Sequence, residues 1–160
     1  MTIRFANLDD VPSLVEGGSR MHALTRFRDQ PYDAKKVAQN FVDLIDRGQG
    51  KYAFLLATGA EQRVVGALIG VMEQQIFTTA FTASVMHFDV LPEARMGGHA
   101  VRLLRAFEQW AKNRNAVEIA FGINSDTEAE MLGRFAKKMG YRRVGGNYVR
   151  GMAPSTVPRA

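Results

Sequence analysis

Apolar and polar positions along the chain follow two periods, and the switches between them predict the elements. Ile3 to Ala6 reads as a short strand. Asn7 stands three residues before Asp10, a spacing that caps a helix start reciprocally. Val11, Leu14, Val15 and Met21 then carry helical spacing. Gly17-Gly18 weakens it, and Pro12 lies early enough to be tolerated. The stretch from Met21 to Asp33 has little periodicity and reads as a loop or a helix end. Asp33 caps a clear helix to Arg47, with Val37, Phe41, Leu44 and Ile45 on one face and Gly48 ending it.

The middle of the chain changes to strand spacing. Lys51 to Thr58 and Arg63 to Gln74 form a hairpin about the turn Gly59-Ala60-Glu61-Gln62. Phe77 to Leu91 is rich in Phe, Thr and Val and reads as one long or bent strand. After the turn that begins at Pro92, helical spacing returns to about Asn115. Val101, Leu104, Phe107 and Ala111 lie on one face of it, with Leu103 and Trp110 beside them. Val117 to Ile123 is an apolar strand, and Asn124-Ser125-Asp126-Thr127 is a polar turn with helix-capping residues. Met131, Leu132, Phe135, Ala136 and Met139 mark an amphipathic helix ending at Gly140. Tyr141 to Val149 reads as a final strand or hairpin around Gly145-Gly146.

The predicted order is β-α-α-β-β-β-α-β-α-β. It describes a single α/β domain (α+β in some schemes) with a mixed sheet and helices on both faces. The domain spans residues 1–150, and residues 151–160 form a tail expected to be mobile.

Composition narrows the class. The 160 residues suffice for one domain with a substantial core. The chain has no cysteine, which excludes disulfides, thiolate metal sites and a cysteine nucleophile. The longest apolar run, Val64 to Met72, is far too short to span a bilayer, and no charged leader precedes an apolar stretch at the N-terminus. A cytoplasmic protein with no membrane partner and no metal is expected. Net charge is +5, which suits a polyanionic ligand. So small an excess does not by itself make nucleic acid the expected partner.

The chemistry concentrates at Arg95-Met96-Gly97-Gly98-His99-Ala100. Glycines where a strand passes into a helix let the backbone approach a ligand closely. The unpaired N–H groups behind them carry the positive end of the helix dipole. Such a turn suits a phosphate or pyrophosphate.

That turn, in that order of elements, resembles the GNAT N-acetyltransferase superfamily. The family's acetyl-CoA motif is Arg or Gln, two residues, Gly, one residue, then Gly or Ala; Arg95, Gly98 and Ala100 fill it. Phe135-Ala136-Lys137-Lys138-Met139-Gly140-Tyr141 is similar to the family's last helix running into a Gly-aromatic pair, and Ile3-Arg4-Phe5-Ala6 with Asp10 to its first strand and helix.

The resemblance implies acetyl-CoA as co-substrate and a small-molecule or protein amine as acceptor. It places the pyrophosphate on the backbone of Met96, Gly97, Gly98, His99 and Ala100, with Arg95 and also Arg102 or Lys112 supplying charge. It places the pantetheine arm along Phe88, Asp89 and Val90, splayed from a neighbour near Ile123 and Asn124. A backbone N–H near Val90 would stabilise the oxyanion. A homodimer is compatible, since the family commonly forms one.

The sequence also departs from the family. Ala136 stands where many members carry a tyrosine that protonates the leaving thiolate. Tyr141 and Tyr148 are nearby substitutes, or simply strand residues. The usual general-base positions correspond to about Ser84 and Met86, neither of which is basic. His87 and Asp89 lie one residue off, which in a regular strand means the opposite face, and a bulge would bring them back. His87 is the leading base, ahead of Asp89 and Glu73, and a water relay without a dedicated base is the alternative. The acceptor side would draw on Arg20, His22, Arg26, Arg28, Asp29, Tyr32 and Tyr148. The readings are therefore an acetyl-CoA-dependent N-acetyltransferase, a GNAT-fold module that binds CoA or an acyl-CoA without turnover, and a nucleic-acid-associated protein.

Overall fold

A computed structural model describes residues 2–48, 50–122 and 128–151. The elements are β1 (Thr2–Phe5), α1 (Val11–His22), α2 (Ala34–Asp46), β2 (Tyr52–Thr58), β3 (Val64–Gln74), β4 (Phe81–Val90), α3 (His99–Lys112), β5 (Ala116–Phe121) and α4 (Ala129–Lys138). The strands form one sheet in the order β1-β2-β3-β4-β5, antiparallel except for the parallel pair β4–β5.

The interior strand β2 explains the layering. Its residues alternate between two apolar faces, as expected for a strand covered on both sides. Ala53, Leu55 and Ala57 pack with Leu68 and Ala83 of the sheet against Leu103, Leu104, Phe107 and Ala111 of α3. Phe54 and Leu56 turn to the other face, where Ile69, Leu14 of α1 and Phe41, Leu44 and Ile45 of α2 meet them. Phe41 and Phe54 make an edge-to-face contact with centroids 5.2 Å apart. The helices thus cover both faces of a mixed sheet.

The caps form where the side chains predict them. The Asn7 side chain accepts from the Asp9 N–H at 3.0 Å, and Asp10 accepts from the Asn7 N–H at 2.8 Å. Asp33 accepts from the Lys36 N–H at 3.0 Å and starts α2. Helix α1 continues through Gly17-Gly18 to His22, and the aperiodic stretch after it is a loop. β4 begins at Phe81 rather than Phe77. Residues 77–80 instead make the hairpin turn, where the Thr78 hydroxyl accepts from the Ala80 N–H at 3.1 Å.

The final strand expected over Tyr141 to Val149 does not form. Residues 141–151 join no ladder. Their apolar positions, Val144, Tyr148 and Val149, are interrupted by Gly145, whose φ of 108° breaks an extended run. The Arg143 Nε–H donates to the Gly145 carbonyl at 3.0 Å and closes a local turn instead. Among the described residues, β5 is therefore paired on its β4 side only. Ile123, the turn 124–127 and the tail 152–160 lie outside the described residues.

Candidate active site

The site begins with a bulge in β4. Pairing with β3 runs Leu68↔Phe88 and Ile69↔His87, then jumps to Gly70↔Val85, leaving Met86 as the extra residue. Upstream, Ala83 and Val85 face α3. A regular strand would send His87 the same way. The bulge reverses the alternation: Phe88 and Val90 now face α3, while His87 follows its partner Ile69 to the face beneath α1 and α2. His87 and Asp89, two residues apart, share that face.

The same strand end is open at its other edge. The β4–β5 ladder runs from Phe81↔Ala116 to Val85↔Phe121 and stops there. Beyond it, among the described residues, Met86 to Val90 keep only β3 as a strand neighbour. The Leu91 N–H donates to the Val65 carbonyl at 2.9 Å. Backbone groups alternate sides in an antiparallel pair, so Phe88 and Val90 direct theirs away from β3, into the gap. A cleft of about 280 Å³ occupies the gap, walled by Val85 to Val90, Arg95, Ala100, Phe121 and, from α4, Met131, Leu132 and Phe135. Phe88 meets Phe121 edge-to-face and Phe135 at a tilt, with centroids 5.6 and 5.9 Å apart, and gives the cleft an apolar floor.

At the cleft's end lies the glycine turn. Residues Pro92–Gly97 form a 3-10 turn, and Gly98 at φ 73° precedes α3 without any side-chain cap. A left-handed φ there favours glycine, and the first N–H groups of a fourteen-residue helix stay uncapped by side chains. Gly97 has a packing reason instead. A Cβ on it would lie 2.8 Å from the His99 ring, which is buried with its Nδ1 unpartnered. Arg95 does not reach outward. Its Nε–H donates to the Val90 carbonyl at 3.2 Å, and its Nη1 pairs with Glu128 at 2.6 Å, so it ties the strand end to the start of α4. Met96 is exposed.

On the other side of His87 and Asp89 is a second cavity, of about 420 Å³, between α1, Phe41 of α2 and the β3–β4 face. His87 and Asp89 line both cavities. Their side chains are hydrogen-bonded to each other; His87 is 45% exposed and Asp89 14%. The surrounding walls disfavour charge on the His87 ring, but the hydrogen bond to Asp89 and its negative charge outweigh them, so the pKa is raised above the ordinary 6.5. A histidine oriented by a carboxylate, open to two cavities at once, can take a proton from a nucleophile in one that attacks an electrophile in the other.

The remaining sequence candidates fall apart in space. Tyr148 is almost fully exposed and lines neither cavity. Tyr141 donates its hydroxyl to Glu108 at 3.0 Å; burial and that carboxylate raise its pKa, which makes it a poorer acid. Ala136 lines neither cavity, and Glu73 lies at the far end of β3. Lys112 is thirteen residues along α3, about 20 Å from the glycine turn. Asn124 lies outside the described residues. Of the acceptor candidates, Arg20 lines the larger cavity. His22 and Tyr32 pack on each other, and the Tyr32 hydroxyl donates to the Val15 carbonyl at 2.7 Å. Arg26 lies over the Phe27 ring, and Arg28 and Asp29 are exposed. Glu128, Glu16 and Phe54 were not picked out by sequence reasoning. They face the cavities from elements far apart in the chain, and no local pattern marks them.

The sequence profile described as "Acetyltransferase (GNAT) family" matches residues 20–141. The chain belongs to the GNAT acetyltransferase family. No curated protein sequence matches it. Among solved structures, a probable acetyltransferase superposes with a TM-score of 0.78 at 18% identity, over 97% of this chain and 100% of that one. The aminoglycoside antibiotic 6′-N-acetyltransferase of Acinetobacter baumannii gives 0.71 at 18%, over 95% and 99%. A transcriptional regulator from Bacillus halodurans gives 0.76 at 17%, over 94% and 99%. At such identities the likeness is one of fold, and it extends to proteins described in different roles. None of the GNAT domain's described helices is long and apolar enough to cross a membrane, and no three described His, Asp or Glu residues cluster as metal ligands.

Proposed function

We propose that the protein transfers the acetyl group of acetyl-CoA to a primary amine by direct attack. The observation that supports the reading is that His87 and Asp89 line both cavities, so that a base stands where an acceptor and a thioester would meet. In this reading the pantetheine arm runs along the open edge of Phe88, Asp89 and Val90, and the pyrophosphate rests on the uncapped turn from Met96 to Ala100. The amine enters from the larger cavity. Its nitrogen attacks the thioester carbonyl carbon and gives up a proton to neutral His87. The Val90 N–H holds the oxyanion, and the intermediate collapses with cleavage of the C–S bond. The His87 ring is solvent-accessible and passes its proton to water, which also protonates the leaving thiolate.

Ala136 favours a second reading, a module that binds CoA or an acyl-CoA without turnover, because no tyrosine stands ready for the thiolate. Two measurements separate the readings. Acetyl-CoA at a hundred times its dissociation constant stabilises the fold by about 2.7 kcal/mol in either case. Thiol release in the presence of an amine panel occurs only under the first. Absence of a thermal shift at millimolar acetyl-CoA refutes both, and salt-sensitive DNA retention in its place would favour a nucleic-acid role.

A further inference from the structure

Helix α1 contains two adjacent glycines at its centre, where glycine is the poorest residue after proline. One of them is explained by packing. A Cβ on Gly18 would lie 2.8 Å from the Tyr32 hydroxyl, which is held by the Val15 carbonyl. Gly17 is not. A Cβ there meets no atom within 4 Å, and its φ is not in the left-handed range. The surroundings therefore permit a side chain that the sequence leaves out.

The position explains the omission. Asp10, Leu14, Gly17 and Met21 recur at helical spacing and all line the cavity of about 420 Å³. Leu14 is buried against Phe54, Leu56 and Ile69. One turn on, the same stripe would carry another core side chain, and Gly17 leaves that volume empty in the cavity that His87 and Asp89 also line. Glu16 and Arg20 flank it on α1, and neither forms an ion pair among the described residues. The volume falls in the range of small-molecule sites.

We propose that Gly17 sets the size of the acceptor: a small-molecule amine lies against the bare α1 backbone, in the volume a side chain at this position would fill. The inference rests on the transferase reading and adds the acceptor class and a specificity residue to it. The experiment compares the unmodified full-length protein with Gly17→Ala and Gly17→Leu. The probes are kanamycin, spermidine, tyramine and a lysine-containing octapeptide, each with acetyl-CoA and thiol release as readout. Gly17→Ala is expected to raise Tm by about 2–4 °C, because it improves the helix without a clash. It should also raise KM for the preferred small amine about tenfold with kcat little changed. Gly17→Leu, which fills the cavity, should lower kcat/KM by about 100-fold or more. The Tm shift induced by acetyl-CoA should be the same in all three proteins, which shows that fold and thioester site are intact. Unchanged kcat/KM in Gly17→Leu overturns the inference while leaving the transferase reading standing. So does a lowered Tm in Gly17→Ala, or turnover of the peptide alone. No turnover of any probe by the unmodified protein overturns both.

Discussion

Gly70→Ala tests whether the β4 bulge and helix α3 are fitted to each other as the packing indicates. Gly70 sits on β3 at the register jump, with Ile69 before it opposite His87 and Val85 as its own partner. A Cβ on Gly70 would fall 2.1 Å from Phe107 Cε2 and 2.5 Å from its Cζ. Phe107 is fully buried and stacked on Trp110 at 5.5 Å and 20°, so the ring has no empty side to retreat to. Overpacking a filled core costs about 1–3 kcal/mol. The alanine recovers about 0.4–1 kcal/mol by restricting the unfolded chain. With a clash this short against an immobile ring, the net loss should be at least about 1.5 kcal/mol, a fall in Tm of about 3–6 °C for a domain of this size. Urea unfolding followed by tryptophan fluorescence measures it, with an unchanged m-value as the check that the same surface unfolds. Gly70→Ala combined with Phe107→Leu should lose less than the sum of the two single losses, because the smaller side chain vacates the space. A single-mutant change below about 0.5 kcal/mol, or a gain, would refute the argument that Phe107 occupies the place of a Gly70 side chain.

Four further outcomes follow from the geometry. His87→Ala should lower kcat by about 10²-fold or more with acetyl-CoA binding retained, measured by thiol release and thermal shift. A general base works unprotonated, so activity should rise with pH through a His87 pKa above 6.5; Asp89→Asn should move that acid limb to lower pH, and an unmoved limb would remove His87 as the titrating group. Arg95→Ala removes the donor to the Val90 carbonyl and the Arg95–Glu128 ion pair that tie the strand end to the start of α4, and should weaken acetyl-CoA binding about tenfold in calorimetry. Asp10 accepts two 2.7 Å bonds from the Arg4 guanidinium and one from the Asn7 N–H; these hold its pKa below the ordinary value against the opposing effect of burial, so the stability it contributes is present above its unfolded pKa and lost as pH falls through the folded one. Asp10→Asn should therefore cost about 1.5–3 kcal/mol at pH 7 and flatten the acid side of the stability curve in urea titrations.

The parts of this fold that were legible in the sequence are those governed by local chemistry. Asn7, Asp10 and Asp33 cap where a short polar side chain can reach an N–H, and the stripe Phe41, Leu44, Ile45 finds the sheet because helical spacing leaves it no other exposed face to bury. The glycine turn was legible because Gly98 needs φ 73° and α3 has no side-chain cap. The departures have causes that residue types and periodicity do not show. Residues 141–149 carry strand-forming types, yet the Arg143–Gly145 turn wins over pairing with β5. Tyr141 could be read as a substitute acid or as a plain strand residue, and what separates the two is Glu108, thirty-three residues earlier, which accepts its hydroxyl hydrogen. The bulge could be anticipated only conditionally, since nothing in Val85-Met86-His87 says which residue will be the extra one; the register jump lies opposite Gly70, on the neighbouring strand, where Phe107 of α3 fills the space of a side chain.

The same helix connects the two ends of the candidate site. α3 begins at the glycine turn, and eight residues on, about 12 Å along its axis, Phe107 packs into the space beside Gly70. Gly70 lies opposite the bulge that turns His87 toward the larger cavity. The position of the Met96–Ala100 turn relative to the His87–Asp89 pair on β4 is therefore set by how α3 seats on the sheet through Leu103, Leu104, Phe107 and Ala111. A change that breaks the Phe107–Gly70 fit shifts α3 on the sheet and alters that separation. A lost alignment of base and thioester lowers kcat while the uncapped turn still binds its ligand. Gly70→Ala is such a change, so its loss in kcat should exceed any loss in acetyl-CoA affinity.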